Sequence, residues 1–195
     1  MPVPRPLASE ELILRATIDI LAEHGIDGLA VDTVAATAGV SKATIYRRWG
    51  SRAQLVHAAI TSLQRPLVDP DTGSLRADLL TLLRQLAAYV SGRDSGRVFA
   101  SFVDAATREP ELEVLRKKSM ADARDMYERV LRRGIARGEL PAGADTGLMT
   151  DLLMAPVIYR AHFERKSVRG GYADSVVDMV LAASRAADQP AQREA

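Results

Sequence analysis

Two short helical patterns meet across a three-residue join at Gly39, Val40 and Ser41, and no other stretch constrains the fold as strongly. The spacing predicts one helix over about Asp32–Ala38, stopped by Gly39, and a second from Ser41 to Trp49, ended by Gly50. So tight a turn needs a residue that accepts positive φ, which Gly39 supplies, and a small residue at the helix crossing, which Ala35 supplies. Val34, Ala38, Val40, Ile45 and Trp49 share one apolar face. The opposite face of the second helix carries Lys42, Thr44, Tyr46, Arg47 and Arg48.

The rest of the chain is also helical in pattern. A helix is expected from Ser9, with Ile13, Ala16, Ile20 and Leu21 at helical spacing and Gly25 as its stop. Ser51 caps another that runs to about Gln64. Further helices are expected over Ser74–Val90, Val98–Arg108, Glu111–Arg137, Thr146–Phe163 and Gly171–Ala187. Strand-like alternation between hairpin turns is absent, so the fold class is all-α with roughly nine helices. The Pro, Gly and Asp residues of RPLVDPDTGS mark the boundary between a head and a body. The expected organisation is an arm at 1–8, a head at 9–64, a linker at 65–73, a body at 74–187 and a disordered tail at 188–195.

Composition removes several classes of function. With no cysteine, the 195 residues hold no disulfide, thiolate metal site or thiol nucleophile. His24, His57 and His162 fall on different helices and no serine sits in a nucleophile elbow, so neither catalysis nor a cofactor is expected. No apolar run approaches the roughly 20 residues that span a bilayer, and no secretory signal opens the chain, so a cytoplasmic protein without a membrane partner is expected.

The net charge of +1 argues against a nucleic-acid partner until the charges are located. From Thr33 to Val68 there is no acid, and Lys42, Arg47, Arg48, Arg52 and Arg65 give that stretch +5. From Asp69 onward 19 basic residues balance 19 acidic ones. Cations clustered without nearby acids are available to phosphates.

The join between the two short helices has the layout of a helix-turn-helix, in which one helix braces across the DNA backbone while the next enters the major groove. The stretch VAATAGVSKATIYRRWGSRAQL resembles the TetR family of transcriptional repressors, through Val34, Ala35, Ala38–Lys42, Thr44–Tyr46, Ser51 and Leu55. Three positions depart from the family pattern: Ala43 stands where Gly is frequent, Trp49 where Phe is usual, and Ala30 where Ser or Thr caps the first short helix. The phrases DTGSLRADLL, RGELPAGAD and APVIYR resemble the effector domain of an actinobacterial-type subgroup. The resemblance implies a homodimer, a ligand pocket in the body, and repression relieved by a small molecule.

Within that frame Lys42 and Tyr46 are phosphate contacts, and the Ala43 amide lies near a phosphate. Thr44, Arg47 and Arg48 are candidates for base edges, and Arg52 for a phosphate beside the next helix's N-terminus. Arg5 on the arm is a remote groove candidate. The pocket is expected among Phe99, Phe102 and Val103, Met120, Met126 and Tyr127, and Met149, Leu152 and Tyr159. Asp104, Arg108 and Arg160 are its possible polar anchors, and the scarcity of charge favours an apolar or amphipathic effector. The last two helices are apolar around too much of their circumference for one neighbour, which points to a dimer interface: Leu148, Leu152, Ala155 and Tyr159 make one stripe and Leu153, Pro156 and Arg160 another, with Val176, Val180 and Ala183 on the last helix. The reading is a regulator released from a palindromic double-stranded operator by a small effector. A ligand-independent regulator, and an all-α enzyme or adaptor that has lost DNA binding, are the alternatives.

Overall fold

The computed structural model describes residues 9–63, 68–168 and 170–187. The arm with Arg5, residues 64–67 at the start of the linker, and the tail lie outside them. Among the described residues there are nine helices and no strand: α1 (Ser9–His24), α2 (Val31–Ala38), α3 (Lys42–Trp49), α4 (Arg52–Leu63), α5 (Leu75–Ser91), α6 (Arg93–Ala106), α7 (Pro110–Ala136), α8 (Thr146–His162) and α9 (Tyr172–Ala187).

The chain forms two compact units, and the division is not at the linker alone. Of the described residues, one unit holds 9–63 together with Gly92–Lys118; the other holds 68–91, 119–168 and 170–187. The expected body therefore loses 92–118 to the head. The cause is hydrophobic: Val98, Phe102, Ala105 and Ala106 of α6, with Leu112 and Leu115 of α7, bury in one cluster with Ile13, Leu21, Ile45 and Leu55. Ser101 Oγ accepts the Ile26 amide at 2.9 Å, which ties α6 to the end of α1.

The second unit has its own core, built by Leu79, Leu82 and Leu83 of α5, Val130 and Leu131 of α7, Leu153 and Val157 of α8 and Val177 of α9. Gly134 lets α7 approach α5 closely, since a Cβ there would stand 2.6 Å from Leu75 Cδ2. A carboxylate network fixes the start of α5. Asp78, wholly buried, accepts from the Thr72 amide at 2.9 Å and the Thr72 hydroxyl at 2.7 Å. Arg137 reaches Asp78, Asp71 and Glu139, and Glu139 in turn caps the Leu75 amide at 2.8 Å.

Candidate nucleic-acid interface

The join behaves as its residues dictate. Gly39 takes φ +67°, and its N–H and that of Val40 return to the carbonyls of Ala36 and Ala35 at 3.3 and 3.0 Å. Ser41 caps α3 by accepting the Thr44 amide at 3.1 Å. Ala30 precedes α2 in an extended conformation with no side-chain cap, the cost of lacking Ser or Thr there. Ile45 is buried and anchors α3 to the head core, while Trp49 packs against it half-buried.

That anchoring turns Lys42, Ala43, Tyr46, Arg47 and Arg48 outward, all exposed. Thr44 is half-buried, and its hydroxyl lies 2.9 Å from Ser41 Oγ, so the cap engages a group expected to read bases. Arg48 pairs with Glu10 of α1, and its guanidinium sits 5.7 Å from the Trp49 ring centroid. Lys42 Nζ stands 2.9 Å from Asp32 of α2, and the hydrogen bond to that carboxylate raises its pKa. Arg47 has no ion pair or hydrogen bond among the described residues.

Arg52 departs from expectation. Its Nε donates to the Leu29 carbonyl at 3.0 Å, Nη2 donates to the Ile26 carbonyl, and Nη1 meets Glu109 at 3.1 Å. Half-buried, with all three of its nitrogens bonded within the head, it clamps the α1–α2 loop to α4. The acid-free stretch of sequence is thus not acid-free in space, because Glu10, Asp32 and Glu109 arrive from outside it.

The residues expected to line a pocket are divided between the two units. Phe99, Phe102 and Val103 belong to α6 and the first unit, where Phe102 is 3% exposed in the core and Val103 faces outward. Met126, Tyr127 and Met149 are buried in the second unit, with Met120 half-buried beside them. Burial pushes the Tyr127 phenol pKa up, and its hydroxyl has no hydrogen-bond partner among the described residues. Leu152 and Tyr159 point outward; Tyr159 is 57% exposed and stacks on Phe163 at 5.5 Å. Of the proposed anchors, Asp104 is held by Arg108, which also binds Asp27, and Arg160 donates to the Ser167 carbonyl at 2.9 Å.

The residues assigned to dimerisation divide in the opposite sense. Leu153, Val176 and Val180 bury in their own unit's core, Leu153 completely. Pro156 is half-buried, and Ala183 is exposed. The outward stripe of α8 is instead Leu148, Leu152, Ala155 and Tyr159, and Met179 of α9 is 72% exposed. A helical stripe spaced at three and four residues was legible in sequence; which of two adjacent stripes faces inward was not. A groove of about 380 Å³ opens at one end of this surface, lined by Pro141, Leu148, Met149, Leu152, Val180 and Ala183 among others.

The family model for bacterial regulatory proteins of the tetR family matches residues 13–59, which span α2 and α3 and most of α1 and α4. A second, for the tetracyclin repressor-like C-terminal domain, matches residues 69–180, more than half of the chain. The chain belongs to the TetR family. An uncharacterised HTH-type transcriptional regulator of Mycobacterium tuberculosis is 35% identical, over 91% of this chain and 89% of that one. The DNA-binding transcriptional repressor TetR of Mycobacteroides abscessus is 29% identical, over 76% and 79%. The crystal structure of the TetR family regulator SCO0332 superposes with a TM-score of 0.67 at 27% identity, covering 89% of this chain and 97% of that one. Bacillus subtilis FadR in complex with stearoyl-CoA shares the fold, with a TM-score of 0.67 at 16% identity over 88% and 97%. This TetR-family chain is accordingly a DNA-binding transcriptional regulator, as are the relatives it matches. No helix among the described residues is long and apolar enough to cross a membrane.

Proposed function

We propose that the chain acts as a homodimeric repressor that holds a palindromic operator through two α3 helices and is released by a small apolar or amphipathic effector. The observation that carries the DNA part is the outward face of α3, where Lys42, Tyr46 and Arg47 project from a helix fixed by Ser41, Gly39 and Ile45. Lys42 and Tyr46 serve phosphates, the Ala43 amide approaches one, and Arg47 and Arg48 serve base edges. The unpartnered apolar stripe of α8 and α9 supports a dimer, since a face of that kind is stable when a second copy covers it.

For the effector, the support is the interior of the second unit. Tyr127 and Gln85 each keep a buried polar atom without a partner among the described residues, and the lining around Met126 and Met149 is apolar. FadR, which shares this fold, takes stearoyl-CoA, an amphipathic molecule.

Selection of bound duplexes from a random pool, using the purified full chain, tests the reading. An inverted repeat with half-sites about 34–36 Å apart is expected. A single unrepeated site would exclude the symmetric dimer on DNA. On the selected site, Lys42→Ala and Tyr46→Phe should weaken binding to all sequences, Lys42→Ala also flattening the salt dependence, whereas Arg47→Ala should change which base is preferred.

A further inference from the structure

We propose that Asp32 and Glu10 are internal counter-ions of the DNA-binding surface, competing with DNA for Lys42 and Arg48 and so weakening the complexes the head makes with it. The inference rests on the reading of Lys42 and Arg48 as DNA contacts. Three carboxylates reach the cations of this segment, and the structure sorts them into two kinds. Glu109 meets an Arg52 that is also tied to two backbone carbonyls, a fixed structural contact. Asp32 and Glu10 each hold a single cation on the outward face of α3, and all four side chains are well exposed: 48% for Lys42 against 73% for Asp32, and 54% for Arg48 against 44% for Glu10. An exposed pair of this kind is weak enough to be exchanged for a phosphate. The exchange has a definite signature. A free ammonium that binds phosphate releases condensed cations from DNA, whereas an ammonium drawn from a carboxylate must first break that ion pair, and the freed carboxylate takes up a cation from solution that offsets the release.

A competing explanation is that both acids serve their own helices, because each lies in a first turn where the helix dipole favours negative charge. The two explanations predict opposite signs. If the acids act only on the helices, removing their charge loosens the head and weakens DNA binding. If they act as counter-ions, removal strengthens it.

The experiment measures binding of the full-length wild type, Asp32→Asn and Glu10→Gln to random-sequence duplex and to the site selected by the wild type, across a salt series. Asp32→Asn should tighten both complexes by the same factor, about 2–5-fold at low salt, because the competing pair exists only in the free protein. The slope of log affinity against log salt should steepen by up to about 0.9. In a Lys42→Met background the Asp32→Asn gain should vanish, and Glu10→Gln should depend on Arg48 in the same way. Unchanged or weaker binding by Asp32→Asn overturns the proposal. So does a gain that survives in Lys42→Met, which would make Asp32 a distant field source. A gain on one duplex only would mean that Asp32 acts at the DNA, and equally sinks it. Failure of the wild type to bind either duplex would instead remove the assignment of the DNA contacts themselves.

Discussion

Arg47 and Arg52 lie five residues apart and carry the same charge, yet their surroundings give them different work. Arg47 stands exposed on α3, while Arg52 spends its donors on Ile26, Leu29 and Glu109. Arg52→Ala would strand two carbonyls and a carboxylate in a half-buried site, so it should lower the stability of the chain by about 1–3 kcal/mol in a denaturant melt. Arg47→Ala should leave the melt unchanged and alter base preference. Equal stability losses from the two would refute the division. Tyr127 offers a test of the opposite sign. Its buried hydroxyl lacks a partner among the described residues, and desolvation keeps the phenol protonated well above the ordinary tyrosine range. Tyr127→Phe should therefore keep or raise stability, within about 1 kcal/mol, while reducing the response to an effector that uses the hydroxyl. A large loss of stability would show that the hydroxyl is bonded in the apo protein.

The short elements of the head are fixed by their own residues. Gly39 at positive φ and Ser41 at the N-cap bring α2 and α3 together with little help from elsewhere, which is why this part of the chain reads so clearly. The start of α5 is different, since its order depends on partners 59 and 64 residues away in Arg137 and Glu139. Asp78 is the centre of that arrangement. Asp78→Ala removes a wholly buried acceptor of two Thr72 bonds and leaves Arg137 and Thr72 underserved, and a loss of about 2–4 kcal/mol is expected in the denaturant midpoint. Arg137→Ala, which leaves a buried carboxylate facing only Thr72, should cost a comparable amount; a negligible loss for both would refute the network. From sequence Asp78 looks like an ordinary first-turn acid of an amphipathic helix. Only its burial separates it from Glu10 or Asp32.

At the scale of the molecule, the proposed dimer depends on which apolar stripe of α8 stays uncovered. Leu153 is fully buried, whereas Leu148, Leu152 and Tyr159 are exposed, with Met179 of α9 likewise uncovered. Leu152→Asp with Met179→Asp should shift the solution mass from dimer to monomer by light scattering, with the helical circular dichroism kept. An unchanged dimer would place the interface elsewhere. The pair Leu153→Asp and Val176→Asp, by contrast, should unfold the second unit, because each buries an unpaired charge.

The sequence alone determined the all-α fold, the boundaries of most helices to within a few residues, and the outward face of α3, whereas α6 starts at Arg93 rather than at the expected Val98. Those properties rest on local chemistry: helical spacing of apolar residues, a capping serine, and glycines at positive φ, each decided within a turn or two of chain. The tertiary structure decided the rest. It gave 92–118 to the head, turned Leu152 outward and Leu153 inward, made Arg52 a clamp, and brought Glu10 and Asp32 beside the cations of a stretch that contains no acid of its own. The physical reason is the same each time. Burial and ion pairing are set by what the remote chain places alongside a residue, and a count of charges along the sequence holds no record of that.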